Sequence, residues 1–493
     1  MSGHAPAHPL LRTAAGKACV GFSEYNVIAR RTFLRGVTQV AALGSLGGLA
    51  PLLRAWQAAG TLPDRPLIVR SRSPQDLETP VGLLRDWITP NDLFFVRSHL
   101  PTPNVEMAKW ALAVNGSVER PLTLGLDDLR ALPRVDSVVT LECAGNGRAF
   151  FAPPVAGVQW QKGAVGNGRW TGVRLADVLQ RAGVKATATF VLFDGADRPV
   201  GTVPDFVRTI PMAKAMHRDT LLAFEMNGAP LPVAHGFPLR AIVPGWEGAY
   251  WVKWLTTIDV LDEQHDGFFV QTAYRYPRTP VAPGAVVAAS EMDPLTGLAV
   301  KSLIVSPAEG AALPMDRLRV TGFAWAGEAD IARVDVSMDA GRSWQRASLG
   351  RDRSPYAWRA FDHEWRVRAP GSYTLLARAT DSRGRVQNDS APWNPSGYLW
   401  NAVDRVTVTL GAGALPRTPP PAAAQTELPP DADASLVRQK CLVCHDADLI
   451  TQQRLNEAGW SRELDKMIRW GASLTDDERS RLLSYVVRHF PPR

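Results

Sequence analysis

The most restrictive feature of this chain sits near its C-terminus: Cys441-Leu442-Val443-Cys444-His445. A C-x-x-C-H run supplies two thiols for thioether bonds to the haem vinyl groups. The histidine that follows supplies a nitrogen ligand for the iron. The roughly sixty residues after position 432 have helical periodicity, but a segment this small has too little core to be secure alone. A covalently held haem would supply much of that core. A zinc half-site and a disulfide are the other readings of the two cysteines. Zinc would need two more ligands, and this segment offers only His489 and scattered carboxylates. For a sixth iron ligand, Met467 is the one methionine after the motif, and His489 is its rival. Histidine–methionine ligation suits electron transfer.

The motif follows a tether. Residues 411–432 are rich in Pro and Ala, with Pro419-Pro420-Pro421 at the centre, a composition that stays semi-extended and does not pack. Before it, residues 291–410 carry period-two runs closed by turn residues. One is Arg333-Val334-Asp335-Val336-Ser337-Met338, ending in Asp339-Ala340-Gly341. Another is Tyr373 to Thr380, closed by Asp381-Ser382-Arg383-Gly384. Such spacing predicts an antiparallel sandwich of immunoglobulin type. Residues 61–290 mix short apolar strands with helical stretches such as Leu175-Ala176-Asp177-Val178-Leu179-Gln180. The expected fold class is α+β: a large first domain, a β-sandwich, and a small all-α domain at 433–493. The length of 493 residues agrees with about three domains.

Residues 1–60 are expected to be an address and not part of the fold. Arg30-Arg31-Thr32-Phe33-Leu34-Arg35 precedes an uncharged Gly- and Ala-rich run from Gly36 to Leu53, followed by the small residues Ala58-Ala59-Gly60. This resembles a twin-arginine export signal, whose substrates leave the cytoplasm already folded around a cofactor. The implied location is the periplasm, where c-type haem is attached. Cleavage would leave no stable membrane anchor. The leader also accounts for the charge. It holds six of the 55 Lys and Arg and one of the 48 Asp and Glu, so the formal +7 becomes 49 against 47, or +2. The remainder has no basic excess on which to bind nucleic acid.

Of the four cysteines, Cys19 lies in the leader and two lie in the haem motif, which leaves Cys143. The apolar run Ser137 to Leu141 delivers it to the turn Cys143-Ala144-Gly145-Asn146-Gly147-Arg148. A thiol at a strand end, beside glycines and an arginine, suits a soft metal ligand with a bulky group close to the backbone.

Four segments in order then carry a resemblance. They are Phe94-Phe95-Val96-Arg97-Ser98-His99-Leu100-Pro101, Cys143-Ala144-Gly145-Asn146, His235-Gly236-Phe237-Pro238-Leu239-Arg240 and Val252-Lys253-Trp254-Leu255. Over roughly residues 70–410 the chain resembles the sulfite oxidase family of molybdenum-cofactor enzymes, including the family's dimerisation domain in the sandwich. Pro244-Gly245-Trp246-Glu247-Gly248 looks closest to the bacterial sulfite dehydrogenases and the sulfane dehydrogenase molybdenum subunit. The C-terminal segment resembles class I cytochromes c, with Trp460, Tyr485 and the final helix in their usual order.

The resemblance implies a sulfite oxidase-type molybdopterin domain at 61–290. Cys143 would be the single protein thiolate on molybdenum. His99, His235, Arg240 and Lys253 match positions that hold the pterin and its phosphate. Arg97 and Arg148 match an anion pocket, Trp160 an aromatic wall of it, and Tyr274 a tyrosine that hydrogen-bonds substrate. Cys441 and Cys444 would hold haem c, with His445 and Met467 on the iron. His217, His265 and His363 match nothing in the family and are expected to be structural. Where vertebrate and plant members are expected to carry an arginine, in the segment matching Trp393-Asn394-Pro395-Ser396-Gly397-Tyr398, this chain has Ser396.

The implied activity is oxidation of sulfite to sulfate, with electrons passed through the haem to a soluble cytochrome c, in a homodimer. A sulfane dehydrogenase is the alternative that Ser396 keeps open. An electron-transfer module with an inactive molybdenum domain is the second alternative.

Overall fold

The structure, a computed structural model, describes residues 67–411 and 427–492. The paired arginines of the leader and Pro419 to Pro421 of the tether lie outside the described residues.

From 67 to 300 strands organise the chain more than helices do. The longest two, Arg134–Glu142 and Val165–Arg174, pair antiparallel in unbroken register from Arg134↔Val173 to Glu142↔Val165. Val138, Val139, Thr140 and Leu141 are buried without alternation, the signature of a strand covered on both faces. Leu221–Met226 pairs with the outer edge of Val165–Arg174, and Arg240–Ile242 pairs with Leu221–Met226 in turn. A second five-stranded sheet runs in the order Leu122–Leu124, Leu112–Gly116, Leu255–Leu261, Phe190–Gly195, Arg208–Pro211. Helices here are short. Leu175–Ala182 buries Leu175, Val178, Leu179 and Ala182 on one face and stops at Gly183, whose φ of 73° is the left-handed cap a glycine adopts freely.

The sandwich stacks a four-stranded sheet, which includes Lys301–Ser306, Arg317–Trp325 and Arg359–Arg366, on a five-stranded one that includes Ile331–Ser337, Gly371–Asp381 and Asp404–Leu410. Val320, Val334, Val336, Phe361, Leu375 and Val408 fill the space between them. The expected turn after Ser337 forms, with Ala340 at φ 59° and Gly341 at φ 93°. A separate apolar cluster joins sandwich to strand domain: Phe323, Trp325 and Trp358 pack with Leu84 and Val165. The hairpin Arg275–Pro277 with Met292–Pro294 crosses residue 290, so the backbone pairing there is continuous across the expected domain border.

Residues 427–492 form four helices: Ala434–Lys440, Asp448–Thr451, Glu457–Arg469 and Asp476–His489. Local chemistry sets their starts. Asn456 caps the third by accepting from the Gly459 amide. Thr475 and Glu478 form a reciprocal capping box on the fourth. Trp460, Leu482, Tyr485 and Phe490 make the small core. No helix among the described residues is long and apolar enough to cross a membrane.

Candidate active site

Cys143 leaves the end of the strand Arg134–Glu142 and enters a tight turn. Its amide donates to Ala164 O at 3.0 Å, and its carbonyl accepts from Asn146 N at 2.9 Å. The residue before it is clamped from the sandwich. Glu142 is buried, with Oε1 accepting from Lys301 Nζ and Oε2 from Trp325 Nε1, each at 2.7 Å. Asn146 Nδ2 also donates to Glu142 Oε1.

The thiol opens onto a cavity lined by Arg97, His99, His235, Arg240, Lys253 and Tyr274, with Phe206, Asp197 and Glu247 among the other walls. Arg97 comes from the short strand Val96–Arg97 and pairs with buried Asp76 at 3.1 Å. Lys253 Nζ donates to Ser98 Oγ at 2.8 Å and to Ala234 O at 3.0 Å. Arg240 donates to the carbonyls of His235 (2.9 Å) and Trp251 (3.1 Å), while its Nε is buried without a hydrogen-bond partner. The His99 ring stacks on Phe206 at 3.7 Å between centroids, and its Nε2 shares a hydrogen bond with Tyr274 Oη. Tyr274 sits at φ 55°, a left-handed conformation that costs a bulky residue energy and holds its ring at one address.

Burial, with the neighbouring charges second to it, shifts protonation across this site. Burial lowers Lys253 to about 7, reinforced by Arg240 and opposed by Asp197. Burial lowers Arg240 to about 9. Burial, with Arg240 and Lys253, lowers His235 to about 3, and His99 also falls well below the ordinary histidine range. Both rings are therefore neutral donor–acceptors. Cys143 is raised to about 11 by burial, with Arg97 opposing. A bound metal ion would reverse that shift by taking the thiolate.

These residues fit a molybdenum cofactor. Buried cations with spare donors call for an anionic, phosphate-bearing ligand, neutral imidazoles suit the edges of a pterin, and one thiol faces the same space. Charged groups this deep are costly until such a ligand pairs them.

Two expected members are placed differently. Arg148 is buried beside the Cys143 turn but does not line this cavity. Its Nη1 donates to Val158 O at 3.1 Å, its Nη2 to Ser396 O at 3.2 Å, and it lies over the Tyr398 ring. It fits because its neighbours are glycines: a Cβ on Gly145, Gly157 or Gly397 would fall within 2.9 Å of its side chain. Trp160 is fully buried with Nε1 unpartnered, edge-on to Phe95, so Phe95 and not Trp160 forms the wall. The structure also adds residues the motifs did not supply. Arg208, buried, lies over both Tyr250 (4.1 Å) and Tyr274 (4.9 Å), 3.9 Å from Glu247. Tyr398 stacks parallel to Tyr274 at 5.3 Å. No sequence motif marks Arg208, which stands in an ordinary strand.

In the C-terminal unit, His445 Nδ1 donates to Asp446 O at 3.0 Å, which fixes the tautomer and leaves Nε2 with its lone pair. Cys441 packs against the helical core, Cys444 is exposed, and both are free thiols. Val443 between them is 70% exposed, an apolar surface suited to a haem edge. These features fit a covalently attached haem. Among the described residues no cluster of three or more His, Cys, Asp or Glu is arranged to hold a metal ion, so the zinc reading lacks its further ligands. His489 pairs through Nε2 with Asp431 at 2.9 Å and is engaged there, whereas Met467 is half-buried on the helix Glu457–Arg469. His217 and His265 each sit beside an aspartate, and His363 lies in a sandwich strand; none joins the cavity.

Comparison with known proteins gives the relatives of this architecture. Residues 99–269 match the model of the oxidoreductase molybdopterin binding domain, and residues 293–411 that of the Mo-co oxidoreductase dimerisation domain. Mitochondrial sulfite oxidase of Homo sapiens is 39% identical over 363 residues, a span covering 69% of this chain and 65% of the human protein. The chain thus covers about two-thirds of that relative's length. Sulfite oxidase of Gallus gallus is 38% identical across 70% of this chain and 79% of its own. Sulfite oxidase of Arabidopsis thaliana is 34% identical across 71% and 95%. The crystal structure of the sulfane dehydrogenase SoxCD from Paracoccus pantotrophus superposes with a TM-score of 0.59 at 29% identity, over 68% of this chain and 85% of that one.

Proposed function

The chain belongs to the sulfite oxidase family of molybdenum-cofactor enzymes, and from that premise we propose that it oxidises sulfite to sulfate and passes the electrons through a haem c on its own C-terminal unit to a soluble cytochrome c. The observation that carries this reading is the convergence of Cys143 with Arg97, Arg240 and Lys253 on one cavity.

When bound, the molybdenum cofactor supplies oxygen-atom transfer and two-electron redox chemistry. The chain's residues do the rest. Cys143 would anchor the metal. Arg240 and Lys253 would neutralise the cofactor's phosphate, and His99 and His235, both neutral, would hydrogen-bond its edges. Arg97 holds the substrate dianion, with Asp76 fixing its guanidinium. Arg148 holds the Val158 and Ser396 carbonyls and adds positive charge beside Cys143. Tyr274, hydrogen-bonded to His99, is placed to pass a proton between substrate and imidazole. The walls formed by Phe95, Phe206 and Trp254 exclude water. Cys441 and Cys444 would hold the haem through thioether bonds, and His445 and Met467 would be its iron ligands. The dimerisation-domain match supports a homodimer, and the leader supports folded export to the periplasm.

Replacing Cys143→Ser is expected to abolish sulfite-dependent haem reduction while leaving the haem spectrum intact. Full activity in that variant, or purified chain without molybdenum, overturns the reading and leaves an electron-transfer module. A sulfane substrate is the second reading. Ser396 puts its hydroxyl on Arg275 O at 3.2 Å where an arginine would add charge, and the SoxCD likeness points the same way. Turnover only with a protein-bound sulfur substrate, and none with free sulfite, would decide for it.

A further inference from the structure

We propose that the 427–492 unit docks on the molybdenum domain in an electron-delivering position, held by a polar clasp and joined to the pocket by a chain of aromatic rings. The electron half rests on the haem reading above; the docking half does not.

The clasp is made by the second helix of the unit and the residues flanking it. Arg72 pairs with Asp448, which is buried, at 2.6 Å. The Asp446 amide donates to Ser73 O at 3.0 Å. Gln452 Oε1 accepts from the Gln159 amide at 2.8 Å, and its Nε2 donates to Arg70 O at 2.9 Å. Gln453 Nε2 donates to Gly157 O at 2.8 Å, while its Oε1 accepts from Gly157 N at 3.3 Å. Gln453 is 6% exposed, an unusual depth for a glutamine unless both ends of its amide are used. These are contacts of a fitted interface. They land on segment 157–159, whose Val158 carbonyl holds Arg148.

The aromatic chain starts after the helix that carries Met467. Trp470, whose amide donates to Met467 O, meets Phe268 edge-on at 5.3 Å. Phe268 meets Phe269 at 5.1 Å, and Phe269 meets His99 at 5.2 Å. His99 lines the cofactor cavity. Beside Trp470, Gly471 at φ 100° approaches Thr202 so closely that a Cβ would lie 2.7 Å from its hydroxyl. The two surfaces therefore meet in direct contact at this point, and packed matter couples donor to acceptor better than a gap does. One electron at a time crosses, lost by the reduced molybdenum centre and gained by ferric iron. No covalent bond changes, and the rings themselves are not oxidised.

The test uses the full chain with both cofactors. In native-state hydrogen exchange, the amides of Gly157, Gln159 and Asp446 should be protected in the wild type. In Gln452→Ala/Gln453→Ala the Asp446 amide should lose about tenfold or more of its protection, the docked population falling with the clasp. Wild-type amides that exchange like open loops overturn the docking. In stopped flow, Phe268→Ala should slow sulfite-driven haem reduction by about tenfold or more. Sulfite oxidation with ferricyanide, and haem reduction by ascorbate, should stay at wild-type rates. An unchanged sulfite-driven rate overturns the electron route. Absence of haem from the purified chain would overturn the electron half and the haem reading together, while the exchange result still decides the docking.

Discussion

The pocket around Cys143 and the core of the sandwich are both built on antiparallel strands, yet they handle buried polarity in opposite ways. In the sandwich, the buried carboxylates and Ser302 meet partners within the chain, and the atoms left over, such as Arg378 Nε and Thr380 Oγ1, are scattered along its strands. Ser302 Oγ donates to Ala377 O at 2.8 Å, Asp404 Oδ2 accepts from the Ile304 amide at 2.6 Å, and Asp381 pairs with Arg385 at 2.6 Å. In the pocket, no carboxylate among the described residues pairs with buried Arg240, and Arg240 Nε and Glu247 Oε1 lack hydrogen-bond partners, as does Arg208 Nε behind Glu247. A fold can afford such a cluster only where something else completes it. The sandwich pairs its buried carboxylates internally; the pocket gathers buried cations that a ligand would complete.

The comparison can be broken most easily at Arg240. Arg240→Ala removes a buried donor from the ligand but no carboxylate's partner, so molybdenum content per chain is expected to fall by about tenfold or more, with the circular dichroism of the strands unchanged. Retained molybdenum would show that the pocket needs no completion there. In the sandwich the same truncation logic acts on folding. Phe361→Ala empties a site that is 2% exposed and should cost ~3–5 kcal/mol in urea titrations, while metal content per folded chain stays normal. Glu247 sharpens the contrast through pH. Burial raises it to about 7 from 4.5, against the pull of Arg208. The folded state then holds its proton across that window. Glu247 thus contributes stability that is complete below 4.5 and lost as pH rises through about 7. Relative to Glu247→Gln, wild type should lose up to ~3 kcal/mol between those limits, measured by denaturation at each end. A flat difference would mean the carboxylate is ionised throughout. The smallest effect belongs to the exposed sandwich pair Arg317–Glu364, 2.9 Å apart with both partners more than half exposed. Arg317→Ala should change stability by ~0–1 kcal/mol, readable as a small shift in thermal midpoint.

Local pattern carried the parts of this molecule that are local. The helix at 175–182, the turn after Ser337 and the capped last helix follow from spacing and cap residues within a few positions of one another. Cys143 and its companions were legible because short motifs mark them. Arg208 and Glu247 were not, because a strand arginine and a loop glutamate become partners only when the sheet edge Arg208–Pro211 is brought against the turn at Gly248–Tyr250. Trp160 was assigned to a pocket wall, and the neighbour that occupies the wall, Phe95, is its packing partner. The pairing of His489 with Asp431 was hidden for a similar reason: the two are 58 positions apart.

The clamp on Glu142 bears on how this molecule can be taken apart. Lys301 and Trp325 belong to the sandwich, yet they grip the residue next to the thiol. Thr140 of the same strand is bonded to Tyr356 O and the Trp358 amide. The address of the sulfur is therefore written in two domains. A graft that moves the cavity to another scaffold must carry those four sandwich positions with it, and a lesion at Lys301 or Trp325 can surface as lost metal and not as a lost fold.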